Sequence, residues 1–94
     1  QWVPVTTANT IADGLKTSLG KRNFPIIQAH VDEISLVTEA EITEAWHFVL
    51  ARLKQFIEPS AATGVAACLK KSARGKMGII LCGGNMDTQK WALR

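Results

Sequence analysis

The most regular alternation of apolar and polar residues lies between residues 39 and 55 and predicts the main helix of the chain. The four residues at its start, TEAE at 38–41, match the S/T-x-x-E capping box that begins many helices. His47 lies beside a core tryptophan and is interpreted as a structural or solvent-facing residue. The apolar positions recur every three or four residues, the spacing of one helix face, and are Ile42, Ala45, Trp46, Val49, Leu50 and Leu53.

Residues 60–71, SAATGVAACLKK, are apolar nearly all round until the last two positions and predict a second, buried helix. Pro59 ends the preceding segment, and Ser60 is the expected cap of this helix. Its small residues would allow another element to approach closely. Such a helix needs partners on several sides, which is more than 94 residues can supply.

Two short apolar runs predict strands. Residues 77–81, MGIIL, are typical of a strand buried on both faces of a parallel sheet, and residues 34–37 are a β-branched candidate. A third strand of two or three residues is possible at 56–58. Shorter helical segments are predicted at 24–31 with Asn23 as the cap, at 15–19 before Gly20, and at 85–93 around Trp91.

This alternation of helices and strands predicts an α/β fold with a parallel sheet. Three strands are too few for a stable sheet covered on both sides. We therefore expect an incomplete part of a helix-covered, parallel-sheet domain. The chain also begins without methionine, as expected of a stretch from within a longer protein.

The residues that follow the strand at 77–81 form the candidate site. Ligands bind at the carboxyl ends of strands in open α/β sheets, which would place Cys82 at the mouth of a site before Gly83-Gly84. The alternative is a turn at the end of a core strand, with the cysteine as a small packed hydrophobe. Glu58, directly before a proline, is either hydrogen-bonded structure or a functional acid.

Charge and cysteine usage narrow the classes of function. The net charge of +3 comes mostly from a cluster at 70–76, which lacks interleaved aromatic residues and predicts a solvated helix end rather than a nucleic-acid surface. No apolar run is long enough to span a membrane. Cys68 and Cys82 form no metal set with His30 and His47, so we expect reduced thiols in a cytoplasmic protein. A catalytic pair of Cys82 with either histidine stays open.

Three blocks in order, TIADGLK at 10–16, IEPSAATGVAA at 57–67 and GIILCGGNMD at 78–87, resemble the C-terminal part of the fold-type II pyridoxal-phosphate enzymes. The resemblance is to the serine racemase and L-serine/L-threonine dehydratase family, and VDEISLVTEAEI at 31–42 fits it too. It implies that residues 1–94 are the C-terminal portion of the cofactor-binding large domain, with no second domain. The implied cofactor is pyridoxal 5'-phosphate.

The resemblance also implies roles for three residues at the cofactor. Cys82 matches the position that faces the pyridine nitrogen, Gly14 matches a glycine whose backbone lies against the ring, and Glu58 matches a carboxylate close by. A neutral thiol does not hold a proton on the ring nitrogen as an aspartate would. The weaker electron sink favours proton abstraction and loss of a β-leaving group over transamination. A side chain at Gly14 would occupy the space of the ring.

Other parts of the family's machinery have no counterpart here. Lys54 and Asn85 match residues that contact an ATP effector, but the Schiff-base lysine, the phosphate loop and the ligands of a divalent metal effector are expected upstream. The resemblance implies a homodimer that acts on L-serine or L-threonine by α-proton abstraction and either β-elimination or racemisation. The 94 residues alone should be inactive. Alternatives are a non-catalytic remnant acting as a binding or interaction module, and a thiol-dependent enzyme using Cys82.

Overall fold

The computed structural model describes residues 1–72, 74–87 and 89, and within these residues every regular element is helical. A 3-10 turn at Asp13–Leu15 comes first, followed by helix α1 (Asn23–His30) and helix α2 (Glu39–Phe48). A π-helical segment, Val49–Leu53, continues α2, and helix α3 (Pro59–Lys71) follows. None of the helices described is both long and apolar enough to cross a membrane.

Helices α2 and α3 pack against each other and form the core. The predicted apolar stripe is buried from Ile42 to Val49, while Leu50 is half-buried and Leu53 is exposed. The indole N–H of Trp46 donates to the carbonyl of Ile57 at 2.7 Å, so the buried ring keeps its polar atom paired. The core cluster consists of Ile42, Ala45, Trp46, Val49, Ile57, Ala62, Val65 and Ala66.

The predicted start of α2 is confirmed. The N–H of Glu41 donates to the hydroxyl of Thr38 at 3.2 Å, and the N–H of Thr38 donates to the Glu41 carboxylate at 2.7 Å. The predicted end is different, because the last turn widens into the π-helical segment and stops at Lys54. That residue has a left-handed backbone with φ of 56°, so Lys54 ends the helix instead of extending it.

Helix α3 is confirmed, but its predicted cap is wrong. Pro59 is already the first helical residue, and Ser60 is the second. Proline suits that position because its fixed φ is helical and its missing N–H would be unpaired there anyway. Only one side of α3 is buried. Ala62, Val65 and Ala66 lie on this side, whereas Gly64 and Leu69 are exposed.

The predicted strands at 34–37, 56–58 and 77–81 are wrong as regular elements of this structure. A strand is defined by backbone hydrogen bonds to a neighbouring strand, and within the residues described none forms such a ladder at these positions. Ile34, Leu36 and Ile80 are 73%, 82% and 85% exposed. Segments with these apolar side chains lack the covering layers that a buried parallel strand needs.

The remaining boundaries shift by a few residues. Asn23 begins α1 instead of capping it, and Val31 follows the helix. The helical turn predicted at 15–19 is replaced by the 3-10 turn at Asp13–Leu15, because local hydrogen bonds form around the Asp-Gly bend instead. In the predicted last helix, residues 85–87 are not helical, and most of the remainder, including Trp91, lies outside the described residues.

Candidate functional site

The site is built around the N-terminal end of α3, where three separate segments meet. The first is the 3-10 turn, whose Gly14 N–H donates to the hydroxyl of Ser60 at 2.8 Å. A Cβ added to Gly14 would lie 3.0 Å from Ser60 Oγ and 4.0 Å from Glu58 Oε1. A side chain here would therefore crowd Ser60, and the contact of Gly14 with the cofactor ring that the resemblance implies stays a prediction.

The second segment is the Gly83-Gly84 pair, which passes close to residues 56–58. Gly83 has a left-handed φ of 73°, and a Cβ added to it would overlap the side-chain carbons of Glu58 and lie 2.7 Å from Oε1. A Cβ on Gly84 would lie 3.1 Å from the carbonyl oxygen of Phe56. The two glycines thus admit the Glu58 side chain and the Phe56 backbone into space that larger residues would fill.

Cys82 connects the glycine pair to the third segment, residues 56–58, through its backbone. The N–H of Glu58 donates to the carbonyl oxygen of Cys82 at 3.2 Å. The cysteine is exposed and its thiol is free, so it is not the packed hydrophobe of the alternative interpretation. It borders an apolar groove of about 520 Å³, the apolar groove hereafter, between α3 and the segment 77–82. Ser60, Gly64, Cys68, Met77, Ile79 and Ile80 are among the residues that line this groove.

A second, more polar hollow opens on the other side of Ser60. This polar hollow has a volume of about 220 Å³ and includes Asn85. The other lining residues are Asp13, Glu58, Pro59, Ser60, Met86 and Asp87. The structure therefore places Asn85 beside Glu58. Lys54 lines neither space, and its ammonium donates to the carbonyl of Ala51 at 2.5 Å.

A carboxylate on α2 holds the 3-10 turn from its other side. The N–H of Ile11 donates to Glu39 at 2.8 Å, and this bond, with a second from Thr10, holds the pKa of the Glu39 carboxyl below its ordinary value. The Asp13 side chain pairs with Lys16 at 2.8 Å. Glu39 and Ser60 together fix the turn that presents Gly14 to α3.

Sequence reasoning identified Gly14, Glu58 and Cys82 but missed the role of Ser60. The hydroxyl was assigned to a helix cap, although it bonds to a residue 46 positions away. The sequence did hold a signal for this position. Proline favours the first position of a helix, so the hydroxyl that follows Glu58-Pro59 falls in the first turn of α3. Across the part of the chain described, no three His, Cys, Asp or Glu side chains are grouped to hold a metal ion.

These residues fit a planar, polar cofactor on two grounds. A backbone hydrogen bond joins Cys82, whose thiol is exposed, to Glu58, whose side chain is half-buried. Gly14 and Gly83, which pass near Glu58, place no side chain of their own at this end of α3. A neutral polar group and a carboxylate are suitable contacts for a pyridoxal ring.

Comparison with known proteins gives the same family as the resemblance. L-threo-3-hydroxyaspartate ammonia-lyase from a Pseudomonas species is 44% identical over 94 residues, covering 96% of this chain and 30% of that protein. Serine racemase from Dictyostelium discoideum is 50% identical over 84 residues, covering 84% and 26%. The solved structure of maize serine racemase matches with a TM-score of 0.83 at 35% identity, covering 95% of this chain and 30% of that one.

The chain therefore spans less than a third of the length of each of these relatives. Its match to only part of a fold-type II structure is that of an incomplete domain. A family model described as "Pyridoxal-phosphate dependent enzyme" matches residues 1–83, and the chain belongs to this family.

Proposed function

We propose that this chain is the C-terminal part of the cofactor-binding domain of an enzyme that acts on small hydroxy amino acids, by β-elimination of the hydroxyl or by racemisation. L-Serine and L-threonine are the proposed substrates, and the relatives named for L-threo-3-hydroxyaspartate add that amino acid to the same class. The observation that carries the proposal is the meeting of Gly14, Glu58 and Cys82 at one end of α3. The Gly14 N–H donates to the Ser60 hydroxyl at 2.8 Å, and the Glu58 N–H donates to the Cys82 carbonyl at 3.2 Å.

The chemistry that bound pyridoxal phosphate supplies is the withdrawal of electrons from the α-carbon of an amino acid. The proposed role of this chain is to determine how strongly the cofactor withdraws those electrons. Cys82 offers a neutral thiol to the ring nitrogen and so leaves it without a stabilised proton. Glu58 offers a carboxylate beside it, and the Gly14 backbone presents a surface without a side chain. The remaining polypeptide would supply the covalent lysine and the substrate contacts.

A substitution at Cys82 tests this proposal in the full-length polypeptide that contains the chain. Cys82→Asp should hold a proton on the ring nitrogen and change the visible absorbance spectrum of the bound cofactor. The ratio of β-elimination to transamination should fall, measured as oxo acid formed from L-serine against aminated cofactor. Cys82→Ser should keep the parent spectrum, because its hydroxyl is also neutral.

Cys68→Ser is the matched control, since Cys68 lies on α3 beside the apolar groove and away from Glu58. It should leave both spectrum and product ratio unchanged. A Cys82→Asp protein with the parent spectrum would contradict the proposed contact. Loss of activity on thiol alkylation in a protein free of pyridoxal phosphate would favour the thiol-dependent alternative.

The alternative is a non-catalytic binding or interaction module, and it accounts equally well for residues among which the covalent lysine has no counterpart. Both proposals predict that the isolated 94 residues produce no new visible absorbance band with pyridoxal phosphate. They differ for the full-length polypeptide, where only the enzyme should show the band and turn over L-serine. A full-length protein without either property would establish the interaction module.

Lys54 and Asn85 are proposed to contact ATP as an effector, and a divalent metal would bind outside this chain. Lys54→Met should then weaken activation by ATP while leaving the cofactor spectrum unchanged. We also propose a homodimer and a cytoplasmic location; sedimentation of the full-length polypeptide tests the first, and fractionation of cells tests the second.

A further inference from the structure

Ser60 makes the contact that connects the 3-10 turn to α3. In that turn, the N–H groups of Asp13, Leu15 and Lys16 donate to carbonyls of the same segment, at 3.0, 2.9 and 3.2 Å. Gly14 differs from these neighbours, because its N–H donates to the Ser60 hydroxyl at 2.8 Å. Glu39 holds the preceding residue Ile11 to α2, and the Ser60 hydroxyl holds Gly14 itself to α3.

The same side chain limits how far Gly14 can move. An added Cβ on Gly14 would already lie 3.0 Å from Ser60 Oγ and 3.3 Å from Ser60 Cβ, so the two residues are in close contact. Ser60 is the second residue of α3, two positions after Glu58, and it lines both the apolar groove and the polar hollow. A helical residue at this place moves with Glu58, and Gly14 follows through the hydrogen bond.

We propose that Ser60 is a positioning residue for the cofactor site: its hydroxyl fixes the Gly14 backbone at a set distance from Glu58 and Cys82. This inference rests on the proposed function. The Ser60 oxygen accepts from Gly14 and retains its own hydrogen, which is available to donate into the polar hollow. Loss of the hydroxyl leaves the Gly14 N–H without this acceptor and frees the turn to shift.

The test uses the full-length polypeptide loaded with pyridoxal phosphate, with Ser60→Ala and Ser60→Thr compared with the parent. Hydrogen–deuterium exchange at Gly14 should be about fivefold faster in Ser60→Ala, as expected for loss of one hydrogen bond. The dissociation constant for pyridoxal phosphate should rise by a similar factor, about fivefold. Ser60→Thr keeps the hydroxyl and should restore both to within about twofold.

Thr63→Ala is the matched control, because it removes a hydroxyl from the same helix that donates to the Ser60 carbonyl at 2.8 Å and makes no bond to Gly14. It should change neither exchange at Gly14 nor cofactor affinity. If Ser60→Ala fails to fold, Ser60→Thr and Ser60→Val form a pair of equal shape that differs only in the hydroxyl, and exchange should be faster in the valine protein.

Two results overturn the inference while leaving the proposed function intact. One is unchanged exchange at Gly14 in Ser60→Ala, and the other is faster exchange with unchanged cofactor affinity. A parent protein that binds no pyridoxal phosphate overturns the proposed function and the positioning role together. The exchange measurement in that protein still shows separately whether the Ser60 contact with Gly14 exists.

Discussion

At the scale of single residues, the site depends on glycines that make room for Glu58. Gly83 has a left-handed φ of 73°, and the Glu58 side chain occupies the space that a Cβ on Gly83 would fill. Gly75 also has a positive φ, of 85°, but an added Cβ there would meet nothing within 4 Å. The two positions separate the cost of the backbone conformation from the cost of the contact.

Gly83→Ala should therefore destabilise the protein more than Gly75→Ala does. Each alanine pays about 1–2 kcal/mol for the left-handed backbone, and only the first also displaces Glu58. The free energies of unfolding, measured by urea titration, give the difference. Adding Glu58→Ala to Gly83→Ala should remove the excess, since the overlapping carbons are gone. Equal costs at the two glycines would show that Glu58 does not occupy this space.

The sequence was informative about residues whose roles depend on near neighbours. Trp46 was assigned to the core from its spacing, and the structure confirms it as buried. Ser60 was misassigned because two local rules compete: proline favours the first helical position, which leaves no place for a serine cap. Its actual partner, Gly14, is 46 residues away and no local pattern encodes it.

At the scale of elements, α2 owes its start to reciprocal bonds between Thr38 and Glu41, which local sequence encodes fully. Thr38→Ala should lower the free energy of unfolding by about 1 kcal/mol, because the Glu41 N–H loses its acceptor. Thr38→Ser keeps the hydroxyl and serves as the control, with a smaller loss. Thermal unfolding followed by circular dichroism measures both. An alanine variant as stable as the parent would mean that the cap contributes nothing.

The carboxylates around α2 predict a loss of stability in acid. The Lys71 ammonium lowers the pKa of Glu33, the Ile11 N–H lowers that of Glu39, and the Thr38 N–H lowers that of Glu41. Because each folded pKa lies below the ordinary value of 4.5, the stabilisation is fully present above that pH. It is lost as the pH falls through the lowered values.

Glu39→Gln should test this dependence. The variant should be less stable than the parent at neutral pH, and the two should converge in acid, where Glu39 is protonated in the parent. Glu44→Gln, a change at an exposed carboxylate of the same helix, is the matched control. Urea titrations at several pH values measure the difference. Parallel curves for the parent and Glu39→Gln would rule out a contribution from this carboxylate.

The elements that sequence reasoning misjudged are those that need distant partners. Periodicity predicted one helix over 39–55, but it does not distinguish an α-helical turn from the π-helical segment at Val49–Leu53. The run at 77–81 has the composition of a buried strand, yet strand pairing is set by other segments, and the residues described offer none. The pattern of apolar and polar residues predicted only the α/β class, and the fold family came from the resemblance.

At the scale of the whole molecule, the packed core accounts for only part of the apolar surface. The buried cluster is formed by α2, α3 and the segment between them, while the apolar groove and the segment 77–81 are open to solvent. Open apolar surfaces of this kind mark interaction sites. This distribution agrees with a chain that spans less than a third of its relatives.

Two isoleucines test this arrangement. Ile57 is 2% exposed and Ile80 is 85% exposed. In the isolated chain Ile57→Ala should cost about 2–5 kcal/mol, and Ile80→Ala should be nearly neutral. In the full-length polypeptide the Ile80→Ala cost should rise towards that of Ile57→Ala, if other residues cover the segment. A cost that stays near zero there would show that Ile80 remains at the surface.

The bond from the Trp46 indole to the Ile57 carbonyl couples α2 to the chain beside the candidate site. It attaches the residue that precedes Glu58 to the last turn of α2, so we expect a tilt of that helix to move the backbone at Glu58. Trp46 is also a fluorophore, and its emission should report such a tilt once the other two tryptophans of the chain are replaced by phenylalanine. A mutation that leaves the fold intact but rotates the indole would then change the site without touching it.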